Sequence, residues 1–335
     1  MANILICTGI YPPQIGGPAQ YAKSVAEEFR AQGHQVKVLT YNLERKLPSL
    51  VRHELFFWRT LFSLGGVDFV LVLDTFSVGW PAIAAAKLLG KKTIIRTGGD
   101  FLWEAYVERT DDLVLLREFY ETRHGDFNWK EKIIFQITKW TLEDASAIIF
   151  STDWHRRIFE KAYDLDPKKN FVVENYYGEK LPQVEKENRA FVAGTRPLKW
   201  KNINWLREAF VKAKEEDPTI ELDTTTAPYE KFIEKIRHSY AVILVSLGDI
   251  SPNMILDAIR ANTPFILTKE TGLYDRLKDV GLFVDPKDPE DVKEKILYLA
   301  DRSHYRFEQE KVERFTFTHS WKQICEEILD VAKGL

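Results

Sequence analysis

Short, unbroken apolar runs recur along the chain, separated by helix-length amphipathic segments, and this alternation limits the fold more than any other feature. The clearest runs are residues 3–9 (NILICTG), 35–41 (QVKVLTY), 67–73 (VDFVLVL), 92–97 (KTIIRT) and 145–151 (ASAIIFS). Strands that are apolar on both faces belong in parallel sheets covered by helices. Between the first two runs, Tyr21, Val25 and Phe29 share one helical face and Gly33 supplies a stop, which predicts a β-α-β unit. A second series begins at 190–194 (AFVAG) and continues through 220–225, 242–247, 264–268 and 281–284. The predicted fold class is therefore α/β, with two Rossmann-like, doubly wound domains facing across a cleft. A chain of 335 residues also exceeds what one core usually serves. The polar, proline-containing stretch at 179–189 predicts the linker between an N-terminal domain, 1–178, and a C-terminal domain starting at 190.

Composition excludes several classes. The net charge of −3 argues against a chain built as a whole to coat nucleic acid, so no nucleic-acid partner is expected. The two cysteines, Cys7 and Cys325, allow neither a disulfide framework nor a zinc site; His34 fixes the turn after Gly33, and the other six histidines stand in no metal-like or triad spacing. No stretch of about eighteen apolar residues occurs, and the N-terminus lacks the basic region of a signal peptide, so a cytoplasmic protein is expected.

Ligands in doubly wound folds bind beyond the carboxyl ends of the strands, and three such places carry chemistry-bearing residues. The first is GIYPPQIGGPAQYAKS, where Gly9, Gly16 and Gly17 let backbone approach a ligand and a helix start attracts an anion. It is not a G-x-G-x-x-G fingerprint, no acid other than Glu44 follows the next strand, and a tight turn without a ligand has the same appearance. The second is GTRPLKWKN, where Arg196 offers a planar fork and Lys201 a compact ammonium suited to a diphosphate, with Lys199 as a third cation. A solvated charge run reads alike. The third is GDISPNMILDAIRANTPFIL. Here Ser251 is an expected N-cap and Pro252 the first residue of a helix reaching Asn262, whose amides at Asn253 and Met254 form an anion site. Asp257, at about the sixth helical position, suits two vicinal ribose hydroxyls, and Asp249, ahead of the helix, suits sugar hydroxyls or developing positive charge. Capping or surface acids remain the plain alternative for each.

In order and spacing these segments resemble the retaining glycosyltransferases of the GT-B fold, family 4, over almost the whole chain. YPPQIGGPAQYAKSVAEEFRAQGHQVKVLT is similar to that family's opening, GTRPLKWKNINWLREAF to its Gly-Arg and Lys segment, and DISPNMILDAIRANTPFI to its paired-glutamate motif. HSWKQICEEILDVAKGL resembles the closing helix, which by that resemblance spans 319–335 and crosses back to the N-terminal domain, leaving 190–318 as the nucleotide-sugar domain and 1–178 as the acceptor domain. The resemblance implies a nucleotide-diphosphate sugar donor, a hydroxyl acceptor, no cofactor, and metal-independent transfer with retention. Arg196 and Lys201 would offset charge on the leaving diphosphate, and Asp100 is the one acid offered as a helper in the first domain. Three departures stand out: both family glutamates are aspartates, Gly98 and Gly99 occupy the place of a sugar-side histidine, and the segment before YAVILVSLG is short. A non-catalytic partner of the same fold and a sugar-nucleotide epimerase are the alternatives. The stretch 45–62, which interleaves Arg45, Lys46, Arg52 and Arg59 with Phe56, Phe57, Trp58 and Phe62, suits peripheral contact with a membrane holding a lipid-linked acceptor, though a helix packed on its domain has the same pattern.

Overall fold

The computed structural model describes the chain except for residues 15, 43, 45, 46 and 187 and the side chains of 49 and 50. Arg45 and Lys46 of the basic stretch thus lie outside the described residues. The strands are β1 (Asn3–Thr8), β2 (Gln35–Thr40), β3 (Phe69–Val72), β4 (Lys92–Thr97), β5 (Ala147–Phe150), β6 (Asn170–Val172), β7 (Ala190–Val192), β8 (Glu221–Asp223), β9 (Ala241–Leu244), β10 (Phe265–Thr268) and β11 (Leu282–Val284). The helices are α1 (Gly17–Ala31), α2 (Ser49–Leu61), α3 (Gly79–Leu88), α4 (Phe101–Thr110), α5 (Leu116–Arg123), α6 (Trp129–Asp144), α7 (Asp153–Tyr163), α8 (Ile203–Glu216), α9 (Tyr229–His238), α10 (Asn253–Arg260), α11 (Tyr274–Leu277), α12 (Pro289–Ala300), α13 (Arg302–Arg314) and α14 (Trp321–Gly334).

Two parallel sheets result, in the orders β2-β1-β3-β4-β5-β6 and β11-β10-β9-β7-β8. The second, read from its other edge, repeats the 2-1-3-4-5 order of the first. In this doubly wound order the crossover direction reverses between the first and third strands, so the loops after β1 and β3, and after β7 and β9, flank the two places where ligands are expected. The compact units are discontinuous in sequence. One comprises Met1–Leu102, His124–Asn175 and Ser320–Leu335; the other comprises Trp103–Arg123 and Tyr176–His319.

In the first unit, β1 and β3 are enclosed on both faces: Ile4 through Cys7 and Phe69 through Val72 are buried. Tyr21, Val25 and Phe29 of α1 are buried, and α14 packs beside them, with Trp321 edge-on to Tyr21 at 5.5 Å and the Cys325 thiol 3.7 Å from the Val25 carbonyl. Gly33, at φ +84°, ends the α1 turn in a conformation that side chains disfavour. In the second unit β9 shows why strands of this kind read as continuous apolar runs. Ala241 and Ile243 join one core with Phe191, Leu206 and Ile296, whereas Val242 and Leu244 join another with Ile236, Ile255 and Phe265. Each fully buried Ile or Leu contributes about 1.5–3 kcal/mol.

The ladders end one to three residues before several apolar runs do. The 190–194 run pairs only through Val192, and the 242–247 run only through Leu244. The surplus residues turn out of the sheet and build the loops described next. The polar stretch 179–189 is not loosely tethered. The Lys180 ammonium donates to the carbonyls of Ile259 and Val312 at 2.7 and 2.6 Å, and the Lys186 ammonium to the Arg237 carbonyl and the Thr263 hydroxyl at 2.6 and 2.9 Å. These contacts neutralise helix carboxyl ends of the second unit. Burial pulls both ammonium groups down to about 8.

Candidate active site

At the reversal point of the second sheet, the chain leaves β7 through Gly194, passes Arg196 and makes a single tight turn at Lys199–Lys201. Asn202 ends this turn at φ +59°, a left-handed conformation that asparagine tolerates better than most residues, and its amide donates to the carbonyls of Val245 and Pro286 at 3.2 and 2.8 Å. The Leu247 amide donates to the Trp200 carbonyl at 2.9 Å, lacing the loop after β7 to the loop after β9. This lacing brings Lys201 and Asp249, 48 positions apart, into an ion pair at 2.6 Å, with side chains only 13% and 10% exposed. The Ser246 hydroxyl donates to the same carboxylate oxygen at 3.0 Å, and the Lys201 ammonium lies over the Trp200 ring at 4.2 Å. Taking an ammonium and a carboxylate out of water is costly, and the hydroxyl and ring offset part of that cost. Arg196 is exposed, and among the described residues no hydrogen bond or ion pair engages its guanidinium. Lys199 is turned away, bound to the Glu108 carbonyl at 2.8 Å and to Asp111 at 2.6 Å.

The helix after Asp249 begins later than its sequence suggests. Pro252 is the N-cap, in extended conformation, without a side-chain capping bond, and α10 runs Asn253–Arg260. Ser251 is therefore not the cap, and Pro252 is not the first helical residue; the helix also ends before Asn262, which is left-handed at φ +52°. Asn253 and Met254 form the first turn, whose amides point out of the helix start. Asp257 is the fifth residue and is buried. One of its oxygens accepts from Arg260 at 3.2 Å and from the Tyr229 hydroxyl at 3.3 Å. Burial pushes its carboxyl up to about 6, against the pull of Arg260 and Tyr229.

Gly16, Gly17 and Asp100 belong to the first unit. Gly16 is the N-cap of α1 at φ +148°, Gly17 is the first helical residue, and the Gly16 carbonyl accepts from Ala19 and Gln20, both at 3.1 Å. Asp100 is buried three residues beyond the end of β4. At the reversal point of this sheet stands Asp74. Its carboxylate accepts from the amides of Phe76 and Val78 at 2.7 and 3.3 Å, and burial raises its pKa above the ordinary range. The nearest counterpart of Asp249 in the first sheet is thus engaged by its own loop.

Several participants escaped the sequence reading. Arg260 and Tyr229 hold Asp257, and Gly178 leaves the room Arg260 needs: a Cβ there would stand 2.3 Å from Nε. Arg260 follows Asp257 by three residues, so an i,i+3 scan of the helix would have found it; Tyr229 left no such signal. Glu270 is buried, its carbonyl accepts the Asp249 amide at 2.8 Å, and Arg117 pairs with one carboxylate oxygen at 3.1 Å. Its second oxygen has no partner among the described residues, and burial pushes the carboxyl up to about 7. No spacing rule connects Arg117 to Glu270.

Residues 15–176 match the family model described as Glycosyltransferase Family 4. No curated protein sequence matches the chain. Solved structures match in fold across its full length. Sucrose-phosphate synthase from Thermosynechococcus elongatus superposes with a TM-score of 0.73 at 12% identity, covering 100% of this chain and 99% of that one. HepE from Anabaena, in complex with UDP and glucose, gives 0.69 at 12% identity and covers 100% of both. WaaG, a glycosyltransferase involved in lipopolysaccharide biosynthesis, gives 0.68 at 13% identity, with 99% and 100% covered. At such identities these likenesses speak for the fold. Residues 15–176 are thus similar to Glycosyltransferase Family 4, and the whole chain shares the GT-B fold of these solved structures.

Proposed function

We propose that the protein transfers a sugar, with retention and without a metal ion, from a nucleotide-diphosphate sugar to a hydroxyl acceptor. The observation that carries this reading is the Lys201–Asp249 pair at the reversal point of the second sheet, with the unengaged Arg196 fork beside it in sequence. Arg196, Lys201 and the α10 amides at Asn253 and Met254 hold the diphosphate, with Pro252 setting the helix start. As the diphosphate recruits Lys201, the Asp249 carboxylate is released toward the hydroxyls of the transferred sugar. Asp257 takes the ribose hydroxyls, and the Gly16–Gly17 loop allows close backbone approach in the first unit. The bond from the anomeric carbon to phosphate oxygen breaks, the bond to the acceptor oxygen forms on the same face, and the acceptor proton passes to the departing phosphate. The cations stabilise the charge that collects on that phosphate. Asp100 orients the acceptor hydroxyl.

HepE was solved with UDP, which supports a uridine nucleotide as the first donor type to try. A lipid-linked acceptor at a membrane surface fits α2, where Val51, Trp58 and Phe62 are exposed on one face while Phe56 is core. Of the basic residues in that stretch, Arg59 is committed to Glu44. Among the described residues no helix is long and apolar enough to cross a membrane.

The test is an NMR transfer assay across nucleotide sugars in EDTA. A product keeping the donor's anomeric configuration is expected. Inversion would refute retention, activity restored only by magnesium or manganese would refute the cation-only site, and an isomerised donor without transfer would favour the epimerase.

A further inference from the structure

Arg96, the fifth residue of β4, is 8% exposed and stands apart from the other buried charges. Glu44 has Arg59, Asp257 has Arg260, and Glu131 closes a capping box with Asn128. Among the described residues no carboxylate pairs with Arg96. Its guanidinium lies 4.1 Å from the centre of the Tyr21 ring, Nη2 donates to Asn175, and Nε has no partner. A ring face and one neutral amide oxygen compensate a desolvated guanidinium poorly.

The neighbourhood is rich in unspent donors. The Ser151 hydroxyl and both ring nitrogens of His155 are buried without a partner among the described residues, and the Tyr21 hydroxyl is buried within reach of Arg96 itself. Ser151 follows Phe150, the register partner of Thr97, and burial together with the Arg96 charge pushes His155 down to about 3. The Ser151 hydroxyl, one imidazole N–H and the guanidinium Nε–H around a net positive charge match a group that carries charge and several acceptor oxygens. Access is provided at Gly98. It is exposed at the carboxyl end of β4, and a Cβ there would stand 2.2 Å from Arg96 Nη1, so only the missing side chain keeps that edge of the guanidinium uncovered.

We propose that Arg96 receives an anionic group, a phosphate or a carboxylate, past Gly98 at the carboxyl end of the first sheet. Resting on the glycosyltransferase reading, this group belongs to the acceptor, which is then a phosphorylated or acidic molecule rather than a neutral one. Both sources share the chemistry of a planar fork meeting paired oxygens.

Full-length protein carrying Arg196→Ala and Lys201→Ala, which removes the proposed donor cations, is titrated with inorganic phosphate and separately with glucuronate. Sodium chloride at equal ionic strength is the control, and stability and binding heat are followed. Phosphate or glucuronate should bind above the chloride control, and whichever does so names the source. Adding Arg96→Gln or Gly98→Val should weaken that binding at least tenfold, and Arg96→Lys, which keeps the charge and loses the fork, should fall between. Should Arg96→Gln fail to fold, Gly98→Val decides, because it retains the charge and closes the approach. Binding no stronger than chloride, or equal binding in the Arg96→Gln and Gly98→Val proteins, overturns the assignment. No readout depends on sugar transfer, so failure of the donor assay leaves this result interpretable.

Discussion

The two sheets share a strand order, and their carboxyl ends differ in how they spend charge. In the first unit the acid at the reversal point, Asp74, is bound by the amides of its own loop, and the charge left over is a cation, Arg96, on the neighbouring strand β4. In the second the acid, Asp249, faces a lysine drawn from a different loop. A carboxylate bound by local amides is fixed at the moment its loop folds and has no cause to let go. A carboxylate held by a nearby hydroxyl and by an ammonium from another loop can, on the proposed reading, exchange the ammonium for a ligand. On the proposed reading the same strand order supports structural chemistry in the first unit and exchangeable chemistry in the second, and the side chains beyond the strand ends decide which.

The strongest way to break this contrast is to neutralise both acids. Asp249→Asn is expected to lower sugar transfer about 10²-fold with nucleotide affinity nearly unchanged. Asp74→Asn should leave both nucleotide affinity and sugar transfer intact, because burial already disfavours its charge and an amide oxygen can still accept from Phe76 and Val78. Steady-state kinetics and nucleotide titration of the pair decide it; a matching loss of transfer in both variants would erase the distinction.

Lys201→Ala sharpens the comparison from the cation's side. It should weaken nucleoside diphosphate binding by about 1.5–3 kcal/mol in calorimetry, and exposed Arg196→Ala should do so with no change in unfolding midpoint. Asp257→Asn should also weaken the nucleotide, in contrast to Asp249→Asn.

Glu270 tests whether the second site stores buried charge. Its carboxyl titrates near 7 when folded and near 4.5 when unfolded. Its favourable contribution is therefore complete below about pH 4.5 and lost as pH rises through about 7, where the folded protein must hold a buried carboxylate. Glu270→Gln should stabilise the protein by up to about 2 kcal/mol near pH 8 and by nothing near pH 4, since the Arg117 partner is largely exposed and contributes little. Thermal unfolding across that range gives the answer.

The smallest effect on stability belongs to α2. Trp58→Ala and Phe62→Ala, at 46% and 81% exposure, should shift unfolding by no more than about 0.5 kcal/mol. Sedimentation with anionic vesicles should nonetheless show reduced binding; unchanged sedimentation would remove the membrane from the proposal.

Much of this was legible in the sequence. The β4 run is predicted at 92–97 and found at Lys92–Thr97, and the α1 face of Tyr21, Val25 and Phe29 is buried as its spacing requires. Periodicity reports burial on one or two faces, and burial is what these elements have in common. The start of α10 was misread because a serine followed by proline satisfies the usual capping pattern, whereas Pro252 here stays extended and the helix opens at Asn253. The cationic stretch 196–201 looked uniform, yet Lys199 turns to Glu108 and Asp111 while Lys201 turns to Asp249.

The sequence by itself determined what is local: two series of buried parallel strands, the helices between them, and the residue types waiting at strand ends. Such features depend on the burial pattern of a dozen neighbouring residues. Tertiary structure alone decided the pairings. Asp249 meets Lys201 across 48 positions, Glu270 meets Arg117, and Arg96 is left with Tyr21, Asn175 and, among the described residues, no acid. Partner choice among distant charges follows from which loops the strand order brings side by side, and from the cost of burying any charge left alone, and neither quantity is written in the spacing of the residues themselves.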